Sequence, residues 1–258
     1  REPKYRTGFD RNFWIFEEFD PTCNYLLVAD VSRGDGADFS TFHIVKLETL
    51  EIIGEYQGKP TLDMFANMLN SVGKEFGNCG LLVVENNSVG FAVLDKLKEM
   101  QYPNLYHSIK STHEYIEQYQ AEYRTAAVPG FTTSMKTRPL IVAKLEEFIR
   151  NKLITIYSSR TVNEMKTFIW RNGRPQAMKG YNDDLIMALA IGCWVRDTAL
   201  QVNARDLNYQ KGFIDAIYTT KTTMNTQIKG QHGYKKNELF DKMSEAEKIY
   251  QQYKWIIK

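Results

Sequence analysis

Two short apolar runs, each ending in an acid, constrain the fold of this chain more than any other feature. They are Tyr25-Leu26-Leu27-Val28-Ala29-Asp30 and Gly80-Leu81-Leu82-Val83-Val84-Glu85. An unbroken apolar run of this length reads as a buried strand rather than a half-exposed one. After the first run, Arg33-Gly34-Asp35-Gly36 is turn chemistry, and residues 41–47 and 51–56 read as two more strands. The connections among these three are too short to hold a crossover helix, which predicts an antiparallel three-strand meander. Residues 61–76 carry Leu62, Phe65, Ala66, Leu69, Val72 and Phe76 at helical spacing behind Thr61, a ready cap. Residues 88–100 read as a helix capped by Ser88, and 104–108 as a short fifth strand. Strands alternating with helices in this order predict an α/β domain with a mixed sheet flanked by helices.

The rest of the chain is less regular. Residues 1–20 are polar, aromatic-rich and non-periodic, and read as a lead-in segment. Residues 109–137 form a long polar stretch, and loops of that length inside a domain tend to be functional or mobile. Within it Tyr115, Tyr119 and Tyr123 recur every four residues, as a packing stripe on a helix would. Pro139 sits near the start of an amphipathic helix over 139–151. A strand over 153–157 and a helix over 161–168 follow. Arg171-Asn172-Gly173-Arg174 predicts a hairpin turn between 167–170 and 175–178. Asn182-Asp183-Asp184 then opens a strongly apolar helix that runs to about Val195. Residues 201–235 are polar and turn-rich, and 244–257 read as a terminal amphipathic helix.

Length and charge narrow the class. A chain of 258 residues can hold one sizeable core plus an appendage. Its net charge is only +2, but residues 201–258 hold ten Lys/Arg against six Asp/Glu, a net of +4, which leaves 23 basic and 25 acidic residues elsewhere, a net of −2. A near-neutral body with a basic tail suits an enzyme that handles a polyanion at an acidic site, and equally suits an ordinary soluble protein. Cys23, Cys79 and Cys193 are scattered and odd in number, and His43, His107, His113 and His232 show no zinc spacing. A reducing cytoplasm is the default compartment. The chain opens on Arg1 rather than Met, which reads as an excised or processed chain with a partner domain outside it.

Three acidic positions share one structural logic. Asp30 and Glu85 end apolar strands, and Asp183-Asp184 starts an apolar helix. Strand ends on one sheet edge, with a helix beginning nearby, can bring carboxylates together. Carboxylates gathered without countercharge raise one another's pKa, and a divalent cation removes that conflict. Hard oxygen donors suit Mg²⁺ or Mn²⁺ rather than zinc, and two such ions could carry an in-line phosphoryl displacement. Each acid also has a plainer reading: Asp30 as a turn acid, Glu85 as a charged strand end, and Asp183 or Asp184 as an acid complementing a helix dipole.

With these residues in place, the chain resembles the C-terminal nuclease domain of large terminase subunits of tailed bacteriophages, particularly the T4-like ones. The matching stretches are Leu27 to Asp38, Val83-Val84-Glu85-Asn86-Asn87-Ser88 and Gly180 to Leu189, with weaker support from Gly130 to Pro139. The resemblance implies an RNase H-like fold over residues 21–200, with 1–20 as the junction from an absent N-terminal ATPase portion and 201–258 as a basic C-terminal extension. It implies metal-dependent cutting of concatemeric viral duplex DNA during genome packaging in the host cytoplasm. Asp30, Glu85 and one of Asp183 and Asp184 would be the catalytic metal ligands, Asp184 in preference. Further partners it implies are the portal and the small terminase subunit. The chain has no Gly-x-x-x-x-Gly-Lys-Ser/Thr, so no ATP site is expected in it.

Arg33, Arg124, Lys136, Arg138, Arg171 and Arg174 lie in expected loops or turns near the acidic motifs. They are candidates for sequence-independent phosphate contacts; the plain reading is solvated surface charge. Two other functions fit the same residues. One is a different RNase H-like nuclease, a junction resolvase or hybrid nuclease. The other is a non-catalytic DNA-binding or assembly module on the same fold.

Overall fold

The computed structural model describes residues 1–34, 36–75, 80–87, 89–109 and 127–196, all within the unit Arg1–Arg205. Ser88, the tyrosines at 115, 119 and 123, Arg124 and the helix expected at 244–257 lie outside the described residues. Among those described, six strands form the main sheet: β1 (Tyr5–Thr7), β2 (Phe13–Ile15), β3 (Tyr25–Asp30), β4 (Ser40–Lys46), β5 (Glu51–Gly58) and β6 (Leu81–Val84). Their spatial order is β1-β2-β5-β4-β3-β6. The expected meander is β3-β4-β5, antiparallel throughout. β6 joins β3 in parallel, with Ala29 opposite Val84, so Asp30 and Glu85 are the next residues beyond that pair on neighbouring strands.

The two acid-ended runs are apolar throughout because both faces of their strands are covered. Leu27, Ala29, Leu82 and Val84 face one core with α1 (Leu62–Glu75) and α2 (Gly90–Glu99), through Phe65, Leu69, Val93 and Leu94. Leu26, Val28 and Val83 face the other, with α3 (Thr137–Arg150) through Ile141, Leu145 and Phe148. The same core takes a helix over 184–196, labelled α5 below, through Ile186, Leu189 and Ala190. That helix is buried nearly all round, as its unbroken apolar composition requires. α1 starts at the expected cap, where the Met64 amide donates to Thr61 Oγ1 at 3.3 Å. No helix among the described residues is long and apolar enough to cross a membrane.

A fourth helix, α4 (Ser159–Thr167), leads into the expected hairpin of β9 (Phe168–Arg171) and β10 (Arg174–Ala177). Asn172 and Gly173 both have positive φ, 53° and 73°. This is the pattern of a type I′ turn, which only residues tolerant of left-handed backbone enter cheaply.

Three expectations need correction. Residues 1–20 are not merely a lead-in: β2 pairs with β5 and β1 with β2. Three-residue strands are too short to display a period, and β1 is exposed throughout, so no apolar pattern marks it. The strand expected at 153–157 shrinks to one bridge, Glu51 with Thr155. The stretch 109–137 contains β8 (Ala127–Pro129), which pairs with β7 (His107–Ile109), and Phe131 then bridges to Glu85. Gly130, at φ 79°, makes this possible, because a Cβ there would lie 2.5 Å from the Val84 carbonyl oxygen.

Candidate functional site

The backbone brings the acids together before their side chains are considered. The Glu85 amide donates to Ala29 O at 2.9 Å, and the Asn86 amide to Phe131 O at 2.9 Å, so Glu85 is held on both sides. Gly90 opens α2 so close to it that a Cβ would lie 1.9 Å from the Glu85 carbonyl oxygen. On the other flank of β3, Asp30 is opposite Thr41, and Thr41 Oγ1 donates to Asp184 O at 3.1 Å. The first turn of α5 is thereby fixed to the strand next to Asp30.

The side chains follow. The Asp30 and Glu85 carboxyls are close enough to interact directly, and Asp184 and Asp183 are near enough to act on Asp30 electrostatically, Asp184 more strongly. Burial first, then the Glu85 carboxylate and then those two acids, holds the Asp30 carboxyl well above the usual carboxylate range. Asp184 Oδ2 accepts from the Phe39 amide at 2.8 Å and from Asn182 Nδ2 at 3.3 Å. Burial, with the charges of Asp38 and Asp183, still pushes Asp184 up to about 6 against the pull of the Phe39 amide. Asn87 Nδ2 donates to Glu85 Oε1 at 2.8 Å.

Asp183 is arranged differently. Its Oδ2 accepts from Arg138 Nη2 and, at 3.2 Å, from the Ala177 amide of β10. Arg138 Nε also donates to Pro175 O at 2.9 Å. Arg138 is thus turned inward, joining α3 to the hairpin and to the start of α5. Arg33, Lys136, Arg171 and Arg174 are exposed, the last two flanking the hairpin turn.

Among the described residues no Lys or Arg pairs with Asp30, Glu85 or Asp184. No three His, Cys, Asp or Glu side chains among them are gathered tightly enough, as they stand, to hold a metal ion. What the structure provides is a close Asp30–Glu85 carboxyl pair with Asp184 adjacent. Its donor set is all carboxylate and its repulsion is unrelieved, which fits a hard divalent cation.

Glu164 on α4 carries no local signal that marks it as part of the site. Its Oε2 accepts from the amides of Leu185 at 3.0 Å and Ile186 at 3.3 Å, and its Oε1 from Gln57 Nε2 at 2.8 Å. Burial first, and then the Asp184 charge, push Glu164 up to about 8. A carboxyl with a folded pKa above its unfolded one keeps its proton longer in the folded state, so stability falls as pH rises between the two values. For Glu164 the window runs from 4.5 to about 8. His43 acts oppositely, because burial lowers its pKa from 6.5, but only below 6.5. In EDTA the melting temperature should therefore fall between pH 6.5 and 8, and the slope should flatten in Glu164→Gln. A wild-type melting temperature that holds or rises across that interval contradicts this assignment.

The mixed sheet with parallel β6, helices on both faces and acids at one edge defines an RNase H-like α/β fold, the fold of large terminase nuclease domains. The chain is similar to the large terminase nuclease from thermophilic phage G20c with bound magnesium, at 15% identity and a TM-score of 0.56, over 74% of this chain and 90% of that one. It is similar to the same nuclease with bound cobalt at 16% identity and a TM-score of 0.57, over 74% and 90%. It is also similar to the Thermus phage P74-26 large terminase nuclease domain at 15% identity and a TM-score of 0.54, over 73% and 86%. No protein-family model matches the chain.

Proposed function

We propose that this chain is a divalent-metal-dependent endonuclease that cuts concatemeric viral duplex DNA during phage genome packaging. The observation that carries the reading is the Asp30–Glu85 carboxyl pair with Asp184 beside it, unpaired with any described base, on a fold shared with large terminase nucleases. Asp30, Glu85 and Asp184 would hold the metal. Mg²⁺ or Mn²⁺, two ions in all, would supply charge neutralisation at the scissile phosphodiester. The residues' own tasks are distinct. Asp30 and Glu85 present oxygen donors from two strand ends; the Phe39 amide and Asn182 orient Asp184; Arg138 neutralises Asp183 and draws it towards the hairpin. Arg33, Lys136, Arg171 and Arg174 would meet DNA phosphates, while Arg138 serves inside the site. On this reading an ATPase portion belongs to the same subunit, and the portal and small terminase subunit are its assembly partners in the host cytoplasm.

The test is a substrate panel. With Mg²⁺ or Mn²⁺ the chain should nick supercoiled plasmid and cut linear duplex with little sequence preference, and EDTA should abolish both. Cleavage confined to four-way junctions or RNA–DNA hybrids would instead indicate another RNase H-like nuclease. DNA binding without cleavage under every metal condition would indicate a binding module.

A further inference from the structure

α5 begins with a problem that its own sequence does not solve. The first amides of a helix have no partner within it, and the usual remedy is a short polar side chain just before the first turn. Asp183 stands there, but its carboxylate is turned away to Arg138 and the Ala177 amide. The next two amides, Leu185 and Ile186, belong to apolar buried residues and go instead to Glu164, from a different helix. Gln57 on β5 fixes the other oxygen of that carboxylate. The carbonyls of the same turn are held from β4: Asp184 O by Thr41 Oγ1, and Leu185 O by His43 Nε2 at 2.9 Å. A single turn is therefore clamped from α4 and β4, with β5 steadying Glu164 from behind, and it is the turn that carries Asp184.

We propose that Glu164 is a positioning residue: it sets the first turn of α5 so that Asp184 is presented to Asp30 and Glu85. This rests on the metal-site reading above. Its effect passes through backbone amides, so what matters is its pair of acceptor oxygens. A glutamine can keep one acceptor on the two amides, with its NH₂ group donating to a reoriented Gln57 amide.

The experiment is a Mn²⁺ titration of the intact chain by calorimetry, read beside the Mn²⁺ midpoint of plasmid nicking, below the melting temperature of every variant. Glu164→Met removes both acceptors at nearly constant volume and should weaken Mn²⁺ binding by about 10- to 100-fold, the usual effect of losing a group that orients a ligand. The nicking midpoint should shift in parallel. Glu164→Gln should stay close to wild type in both readouts. Glu164→Ala, which admits water to the freed amides, replaces the methionine variant if that one does not fold. Folded Met or Ala variants with wild-type Mn²⁺ affinity and only a lowered melting temperature would overturn the proposal, leaving Glu164 a purely structural cap. Loss of affinity in Glu164→Gln as well would overturn it in the other direction, making Glu164 a ligand. A wild-type chain that binds no Mn²⁺ would overturn the metal site itself, a failure visible before any variant is compared.

Discussion

Asp30→Asn is expected to reduce Mn²⁺-dependent nicking of duplex DNA by at least about 10²- to 10³-fold, the scale on which removal of one preorganised charge-stabilising group acts. Glu85→Gln is expected to fall in the same range. The two carboxyls interact directly with each other, so their losses should not add. The stability effect should have the opposite sign. Without metal, Asp30 is opposed by burial, by Glu85 and by Asp184 and Asp183, so a neutral asparagine relieves repulsion and loses no ion pair. In EDTA at pH 8, Asp30→Asn should melt no lower than wild type, while wild type should gain more than the variant from added Mn²⁺. That outcome would mark Asp30 as a residue held for function at a cost in stability. Full nicking activity in both variants would remove Asp30 and Glu85 from the site.

What the sequence reveals of this fold follows the range of the forces involved. β3 and β6 are legible because burial on both faces leaves an unbroken apolar run, and α5 for the same reason. The hairpin turn is legible because the left-handed backbone at Asn172 and Gly173 selects residues locally. The convergence of Asp30, Glu85 and Asp183-Asp184 could be anticipated, because strand ends and a helix start are local features that a sheet brings together. Its details could not. Asp183 and Asp184 are alike in sequence, and distant partners distinguish them: Arg138, 45 positions away, holds Asp183, and the Phe39 amide, 145 away, holds Asp184. Arg138 itself, one of several basic residues suited to a phosphate, has its guanidinium occupied within the molecule. Glu164 lies on a largely polar helix, 21 residues before the amide it serves, and nothing nearby in the chain marks it. The short strands β1, β2 and β8 escaped because three residues carry too little periodicity to separate them from loop.

The same long-range logic produces the largest stability effect expected outside the acidic cluster. Glu55 on β5 is fully buried and accepts from Ser158 Oγ at 2.6 Å, Arg160 Nε at 2.8 Å and Thr161 Oγ1. Arg160 also donates to Asn12 O and Glu55 O, each at 3.2 Å, and lies 3.8 Å from the centre of the Trp14 ring. One guanidinium thus joins α4 to β5 and to the β2 end of the sheet. Arg160→Met keeps most of the packing volume but strands the Glu55 charge, and breaking a buried pair from one side costs about 3 to 5 kcal/mol. Urea denaturation should show a midpoint lowered accordingly with little change in slope. Glu55→Leu combined with Arg160→Met should recover much of the loss, because the penalty lies in the uncompensated charge rather than in a missing attraction. A single-variant loss below about 1 kcal/mol, the range of an exposed ion pair, would mean that Ser158 and Thr161 suffice to solvate Glu55. The register of α4 against β5, and with it the placement of Glu164, would then have to come from apolar packing alone.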